Sequence, residues 1–214
     1  MDFFEFILKR RFDMLEMGIG HAAVVGVAVL LATLLGVGLG ILTHRNERAR
    51  NFTLAVSGAM LTIPSFALFI LLLGPLGLGA RPVIVALTMY GLMPIIRNTV
   101  AGLNGVDPAV IESAKGMGLT RIQRLLKIEL PLAWPVIITG VRVTTLSLLG
   151  IAAIGSIVNG PGYGEFIFTG LARVGTPVAI NFVLAGALGV VILAILSDVL
   201  FHIVRRFTTS KGIR

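Results

Sequence analysis

Few residues of this chain have the types and spacing that enzyme chemistry requires. The 214 residues include no cysteine, and the three histidines, His21, His44 and His202, are scattered and suggest no ligand cluster. No nucleophile with a neighbouring base, no pair of acids at catalytic spacing and no glycine-rich phosphate-binding loop can be recognised. We therefore expect a non-catalytic chain with no metal and no cofactor of its own.

One stretch does concentrate charged groups: ESAKGMGLTRIQRLLKIELP, residues 112–131. Apolar runs lie close on both sides of it. The stretch holds two carboxylates and four cations, the latter being Lys115, Arg121, Arg124 and Lys127. Such groups could dock another protein, although most charge runs are only solvated faces. The local pattern and the spacing of the motif favour docking.

Local signals predict a first short helix before a glycine bend. Asp107 can cap this helix, and Pro108 suits its first position. Gly116 and Gly118 would interrupt the helix after about two turns, and Gly118 is expected to permit the bend.

A second short helix is predicted over residues 121–129. Thr120 and Gln123 have the spacing of a capping box at its start, and Pro131 is expected to end it and to open the next apolar run. Two short helices across a bend are too small to fold alone. We therefore expect them to form a docking knob on a larger body.

The elements around this knob are predicted to span a membrane. Hydrophobic residues make up 56% of the chain and charged residues 13%, about half the charge of a typical soluble domain. A span needs about 20 apolar residues. Five stretches meet that length, so we expect an all-α polytopic membrane protein with spans near 21–42, 54–73, 82–103, 132–154 and 178–204.

The distribution of lysine and arginine predicts which side of the membrane each loop faces. With five spans, the side that carries residues 104–131 holds twelve cations when Arg97 is included, against five on the other side. Lysine and arginine accumulate on the cytoplasmic side, so the N-terminus is predicted outside and the C-terminus inside. The same rule accounts for the net charge of +8 without a nucleic-acid partner.

The charged stretch resembles the EAA loop of ABC importer permeases. Its spacing follows that pattern throughout: Glu112-Ser113-Ala114, three residues, Gly118, nine residues, then Ile128-Glu129-Leu130-Pro131. Ser113, in place of the middle alanine, is the one departure. The resemblance implies that this loop couples the chain to an ATP-binding subunit, and the residues implicated are Glu112, Ser113, Ala114, Gly118 and Leu119.

Three longer stretches resemble permeases of glycine betaine, carnitine and choline importers. They are TIPSFALFILLLGPLGLG (62–79), YGLMPIIRNTVAGLNGVDPAVIESAKGMG (90–118) and IGSIVNGPGYGEFIFTGL (154–171). GPGYG differs from the GAGGLG-like form expected at that place. The resemblance implies a type I ABC importer permease in a bacterial or archaeal cell membrane. Its implied partners are ATP-binding subunits that hold ATP and Mg, an extracytoplasmic substrate-binding protein, and a second permease copy or paralogue.

Together these observations predict three regions. Residues 1–20 are expected to form an extracytoplasmic interfacial segment rich in phenylalanine, because its charges are mixed and no cleavage site follows. Residues 21–206 are expected to form the transmembrane permease domain, with the coupling loop at 104–131. Residues 207–214 are expected to be a cytoplasmic tail.

Polar and helix-breaking residues of the predicted spans are candidates for the pathway. They are Pro64, Ser65, Asn98 and Asn159. A proline in a span frees backbone groups that need a protein neighbour or a cavity, although a plain packing kink explains it equally well. Gly36-x-x-x-Gly40 could form a helix-packing face.

Embedded charges are the last candidates. Arg142 lies 11 residues past Pro131, about 16 Å along a helix, where a lone arginine costs about 2.5–3.5 kcal/mol on insertion scales. Asp198 is the one acid of the last predicted span. We expect Asp198 to pair with Arg97 or Arg142, the alternative being an exposed acid near His202.

Two other functions are weighed against the permease for compatible solutes. An ion-coupled secondary transporter usually has embedded carboxylates and an inverted repeat, which five spans and one embedded acid do not suggest. A permease for another small polar solute, such as an amino acid, stays open. Quaternary ammonium groups are commonly held by aromatic cages, and no cage is apparent here, so tight binding is expected in a separate receptor.

Overall fold

The computed structural model describes residues 2–209, and within this range the chain is helical with no strand. The helices are α1 Phe3–Lys9, α2 Arg11–Thr43, α3 Glu47–Thr62, α4 Ser65–Leu76, α5 Ala80–Asn104, α6 Pro108–Gly116, α7 Arg121–Arg124, α8 Leu130–Ala152, α9 Gly164–Ala172 and α10 Ala179–Thr208. A π-helical turn, Leu125–Glu129, joins α7 to α8, and a 3₁₀ turn, Ala153–Val158, follows α8. Most of the predicted tail, 207–214, lies outside the described residues.

Four helical segments are long and apolar enough to cross a membrane: α2, α5, the continuous segment from α7 through the 3₁₀ turn, and α10. The pair α3 and α4 is bent by 97° and would make a fifth span if counted as one. The span predicted near 54–73 is therefore broken into two helices, and it remains one span only if the bent pair is counted together. Pro64 disfavours helical geometry at Ile63, whose backbone is extended with ψ 124, and the helix stops there.

Two other helix boundaries differ from expectation. Residues 11–20, assigned to a separate interfacial segment, instead continue the first spanning helix as the opening of α2. Pro131 does not end the second short helix. The π turn widens the helix just before it, with the Leu130 N–H donating to the Leu125 carbonyl five residues back. This local widening absorbs the proline, so α7 runs into α8.

The centre of the bundle is α5, which lies between α2 and α8 and contacts both. Gly36 and Gly40 of α2 let α5 approach closely. An added Cβ would lie 2.8 Å from Ile95 Cγ2 at the first glycine and 2.6 Å from Thr99 Cγ2 at the second. The predicted Gly36-x-x-x-Gly40 packing face is thus used within the chain.

The break between α3 and α4 is held from α5. The Tyr90 hydroxyl donates a 2.8 Å hydrogen bond to the carbonyl of Ile63, which the end of α3 leaves without a helical partner. Since an unpaired backbone carbonyl is costly away from water, this bond stabilises the bend.

Candidate functional site

Residues 104–131, the predicted coupling loop, are called the charged segment from here on. Its two short helices begin at the capping residues that the sequence predicts. Asp107 Oδ1 accepts from the Ala109 N–H at 2.8 Å, and Pro108 stands at the start of α6. Thr120 and Gln123 form the reciprocal capping box, at 2.8 and 3.3 Å. Both cap predictions are confirmed.

The glycine bend lies at Gly118, whose φ is +80. A residue with a Cβ is strained at such a φ, so the turn between α6 and α7 needs glycine. The backbone closes the end of α6 around it, because the Leu119 N–H donates to the Ala114 carbonyl at 3.2 Å. Gly116, by contrast, ends α6 with open space around it.

The charged segment presents an exposed surface. Glu112 and Ser113 are exposed, while Ala114 is fully buried on the inner side of α6, which contacts α7 and the π turn. The Ser113 hydroxyl donates to the Ala109 carbonyl of its own helix. Gly118 is exposed and Leu119 half-buried. The exposed surface also carries large apolar side chains, with Met117 and Ile122 each 69% exposed.

An ion pair with a buried carboxylate anchors the far end of the charged segment to Arg45, in the turn that follows α2. Glu129 is 2% exposed, and Arg45 Nη2 donates to its two carboxylate oxygens at 2.7 and 2.9 Å. Arg45 Nε donates to His44 Nε2 at 3.0 Å, so the proton of this imidazole lies on Nδ1, which donates to the Ile41 carbonyl at 2.7 Å. The pair borders a cavity of about 490 Å³ that is also lined by Arg50, Lys115 and Arg124.

Sequence reasoning missed this pair. Arg45 was counted only as a cation that sets orientation, and Glu129 only as the variable position of the I-x-L-P motif. The two residues are 84 positions apart, and neither neighbourhood in the sequence signals the other.

The four pathway candidates do not converge on one another. Pro64 and Ser65 form the bend before α4. Asn98 donates to the Pro94 carbonyl of its own helix at 2.8 Å. Asn159 is left-handed, with φ 57, and lines a different cavity of about 650 Å³ after the 3₁₀ turn. They therefore stay predictions without a shared site.

Asp198 of α10 pairs with Arg142 of α8. Arg142 Nε and Nη2 donate to the two carboxylate oxygens of Asp198 at 2.6 and 2.8 Å, and the side chains are 37% and 38% exposed. Arg97 is exposed and forms no ion pair among residues 2–209. The expectation of a partner for Asp198 is confirmed with Arg142 and is wrong for Arg97.

The loop GPGYG is held by His21, a buried residue of α2. The Tyr163 N–H donates to His21 Nδ1 at 3.3 Å, so Nε2 carries the proton and donates to the Leu149 carbonyl at 3.0 Å. The Tyr163 ring fills the space that Gly18 and Gly189 leave open, and burial raises the pKa of its phenol. This contact fixes the loop before α9.

The sequence of this chain is similar to those of several known proteins. Residues 24–210 match the family described as "Binding-protein-dependent transport system inner membrane component". The choline transport system permease protein OpuBB of Bacillus subtilis is 36% identical over 91% of this chain and 88% of that protein. The osmoprotectant import permease protein OsmW of Salmonella typhimurium is 36% identical over 100% of both chains.

A third relative and a solved structure agree with these. The glycine betaine/carnitine/choline transport system permease protein OpuCD of Bacillus subtilis is 41% identical over 79% of this chain and 73% of that protein. A structure of the MetNI methionine ABC transporter in inward facing conformations superimposes with a TM-score of 0.82, over 94% of this chain and 99% of that chain, at 20% identity. At that identity the likeness concerns the fold.

Proposed function

Because the chain belongs to the binding-protein-dependent transport system inner membrane component family, we propose that it moves compatible solutes of the glycine betaine, carnitine and choline class into the cell. It is the transmembrane permease subunit of an ABC importer in the cell membrane. The observation that carries the solute class is the agreement of relatives at 36–41% identity, which are named for choline, osmoprotectant or glycine betaine/carnitine/choline transport.

ATP is hydrolysed on separate ATP-binding subunits that dock on the charged segment. The exposed apolar side chains of Met117 and Ile122, in the same segment as the exposed Glu112, support this, because exposed apolar groups gain from burial in a partner. The fixed bend at Gly118 gives the docking surface one shape. This segment then faces the cytoplasm, and the N-terminus lies outside, as the distribution of cations favours.

A second permease copy or paralogue completes the pathway, since residues 2–209 of one chain contain at most five candidate spans. An extracytoplasmic binding protein supplies the tight binding. The aromatic ring of Phe182 is not free to bind a quaternary ammonium group. The guanidinium groups of Arg10 and Arg173 lie over this ring at 5.2 and 4.9 Å, and Phe6 packs against it in a T-shaped arrangement. The permease provides a route, and the receptor selects the solute.

The test is uptake by the reconstituted importer: this permease, its ATP-binding subunits and its binding protein in proteoliposomes. Labelled glycine betaine, carnitine and choline are offered with ATP inside, and labelled methionine serves as the solute of a different class. We expect ATP-dependent uptake of at least one of the first three and none of methionine. Uptake of methionine alone would move the chain to the amino-acid alternative.

Gly118→Val tests the docking role within the same assay. Valine at a φ of +80 is strained by about 1–2 kcal/mol or more, and the strain is relieved by moving the docking surface. We expect normal membrane abundance with uptake and substrate-stimulated ATPase activity reduced at least about tenfold, which corresponds to about 1.4 kcal/mol. Gly116→Val, in open space, is the matched control. Unimpaired uptake by Gly118→Val would refute the docking assignment.

A further inference from the structure

Two exposed faces of the spanning helices differ in character. The exposed face of α2 is a run of leucines, with Leu30 and Leu34 at 58% and 64% exposure, as expected for contact with lipid. The exposed face of α8 also has apolar residues, Val136 and Val143, but between and beside them it carries Thr139, Ser147 and the half-buried Arg142. Two helices of the same bundle thus meet two kinds of surroundings.

The charged pair on this second face lies well inside the membrane span. Arg142 is 12 residues past the start of α8, about 18 Å along its axis. A lower contact between the same two helices, from Trp134 Nε1 to Thr208 Oγ1 at 2.7 Å, places the pair above the end of α10. Lipid cannot solvate the exposed parts of a guanidinium and a carboxylate, so this face needs water or protein.

The pair also has bonding capacity left over. Arg142 uses two of its five N–H groups on Asp198, and three remain for another acceptor. The Asp198 side chain is 38% exposed, so its negatively charged carboxylate also stays accessible. A cation and an anion are therefore held side by side and within reach from outside the chain.

We propose that the α8 face of Thr139, Arg142 and Ser147 lines the hydrated translocation pathway, and that the Arg142–Asp198 pair is a transient contact for a zwitterionic solute. The Arg142 guanidinium meets the carboxylate of the solute, and the Asp198 carboxylate meets its quaternary ammonium group. This rests on the proposed function. A quaternary ammonium group donates no hydrogen bond, so its contact is electrostatic and weak, which suits passage rather than storage.

Cysteine accessibility tests whether the face is hydrated. The chain has no cysteine, so each single substitution is labelled alone. Thr139→Cys and Ser147→Cys are compared with Leu30→Cys and Leu34→Cys in the assembled importer, using a membrane-impermeant methanethiosulfonate that carries a trimethylammonium group. We expect labelling at 139 and 147 to be at least about tenfold faster than at 30 and 34, because the reagent reacts with ionised, hydrated thiols.

Equal, slow labelling at all four positions would overturn the pathway assignment. Rapid oxidative cross-linking of Thr139→Cys or Ser147→Cys between two copies, without labelling, would overturn it as well, by showing that a second copy seals this face. The labelling result does not depend on which solute is transported.

The ratio of glycine betaine uptake to choline uptake tests the zwitterion contact. Choline has the ammonium group without a carboxylate, so Arg142→Gln should lower glycine betaine uptake about tenfold more than choline uptake, relative to the unsubstituted importer. Asp198→Asn should lower both at normal membrane abundance, since both solutes are cationic at one end. Arg97→Gln, which removes an exposed arginine outside the pair, should leave the ratio unchanged.

A merely structural pair gives a different result. Arg142→Gln and Asp198→Asn would then lower membrane abundance and reduce both uptakes by the same factor, and the proposal would be refuted. If the unsubstituted importer carries none of glycine betaine, carnitine and choline, the proposed function fails and so does the zwitterion contact, while the labelling pattern still decides whether the face is hydrated.

Discussion

Glu129→Gln should destabilise the permease by breaking the ion pair that joins the buried carboxylate of the charged segment to Arg45, in the turn after α2. The Glu129 side chain is 2% exposed and accepts two short bonds from one nitrogen of Arg45. Glutamine has nearly the same shape and keeps one acceptor oxygen. The substitution therefore removes the charge and one bond with little change in volume.

The size of the effect follows from this geometry. A hydrogen bond to a charged group contributes about 1.5–3 kcal/mol. The Arg45 side chain is 34% exposed, so water can hydrate the cation that is left behind, which favours the lower part of this range. We expect a loss of about 2 kcal/mol. At about 2–4 °C per kcal/mol for a chain of this size, the unfolding midpoint falls by about 4–8 °C.

The assay is thermal unfolding of the detergent-purified permease, read by the monodisperse peak, at one fixed scan rate and up to temperatures from which cooling restores the peak. This condition is needed because the expected midpoint shift is an equilibrium quantity, whereas irreversible unfolding reports a rate. Glu16→Gln is the control, since this carboxylate is exposed. Arg45→Gln and the double variant complete a cycle, in which the double variant should lose less than the two single losses combined. A shift within about 1 °C for Glu129→Gln, or full additivity in the cycle, would refute the reasoning.

Two further predictions follow from the packing and from the aromatic residues. Gly40→Ala places a Cβ 2.6 Å from Thr99 and should cost about 1–3 kcal/mol in the same thermal assay, whereas Gly38→Ala, in open space, should be neutral or stabilising. The contrary order would place the α2–α5 contact elsewhere. Calorimetry on the purified permease without its receptor should find no affinity for glycine betaine better than about millimolar, worth about 4 kcal/mol. A micromolar site would locate recognition within the membrane.

Features that depend on neighbouring residues were predictable. The Asp107 cap, the capping box of Thr120 and Gln123, and the bend at Gly118 each arise from contacts within a few positions. The break at Ile63 was equally local, because Pro64 signals it, but the apolar run around it was interpreted as one continuous span. The π turn before Pro131 shows the converse, since a proline can be accommodated without ending the helix.

The partner of Asp198 marks the limit of this reasoning. Position along the predicted spans leaves both Arg97 and Arg142 as possible partners of Asp198. The bundle instead turns Arg97 outward and brings Arg142 within 2.6 Å of Asp198. Axial position alone could not decide this, because the direction that a side chain faces depends on how each helix is rotated against its neighbours.

The sequence by itself determined the helical class, the membrane residence, the caps and the spacing of the charged segment, since these follow from hydropathy and from contacts within one or two turns. Only the tertiary structure decided that Arg45 meets Glu129 across 84 positions, that His21 holds the loop at Tyr163, and that Arg142 rather than Arg97 pairs with Asp198. Each of these contacts joins parts of the chain that are far apart in sequence. Their free energy depends on the mutual rotation and height of the helices, which the packing of the whole bundle sets and no local pattern encodes.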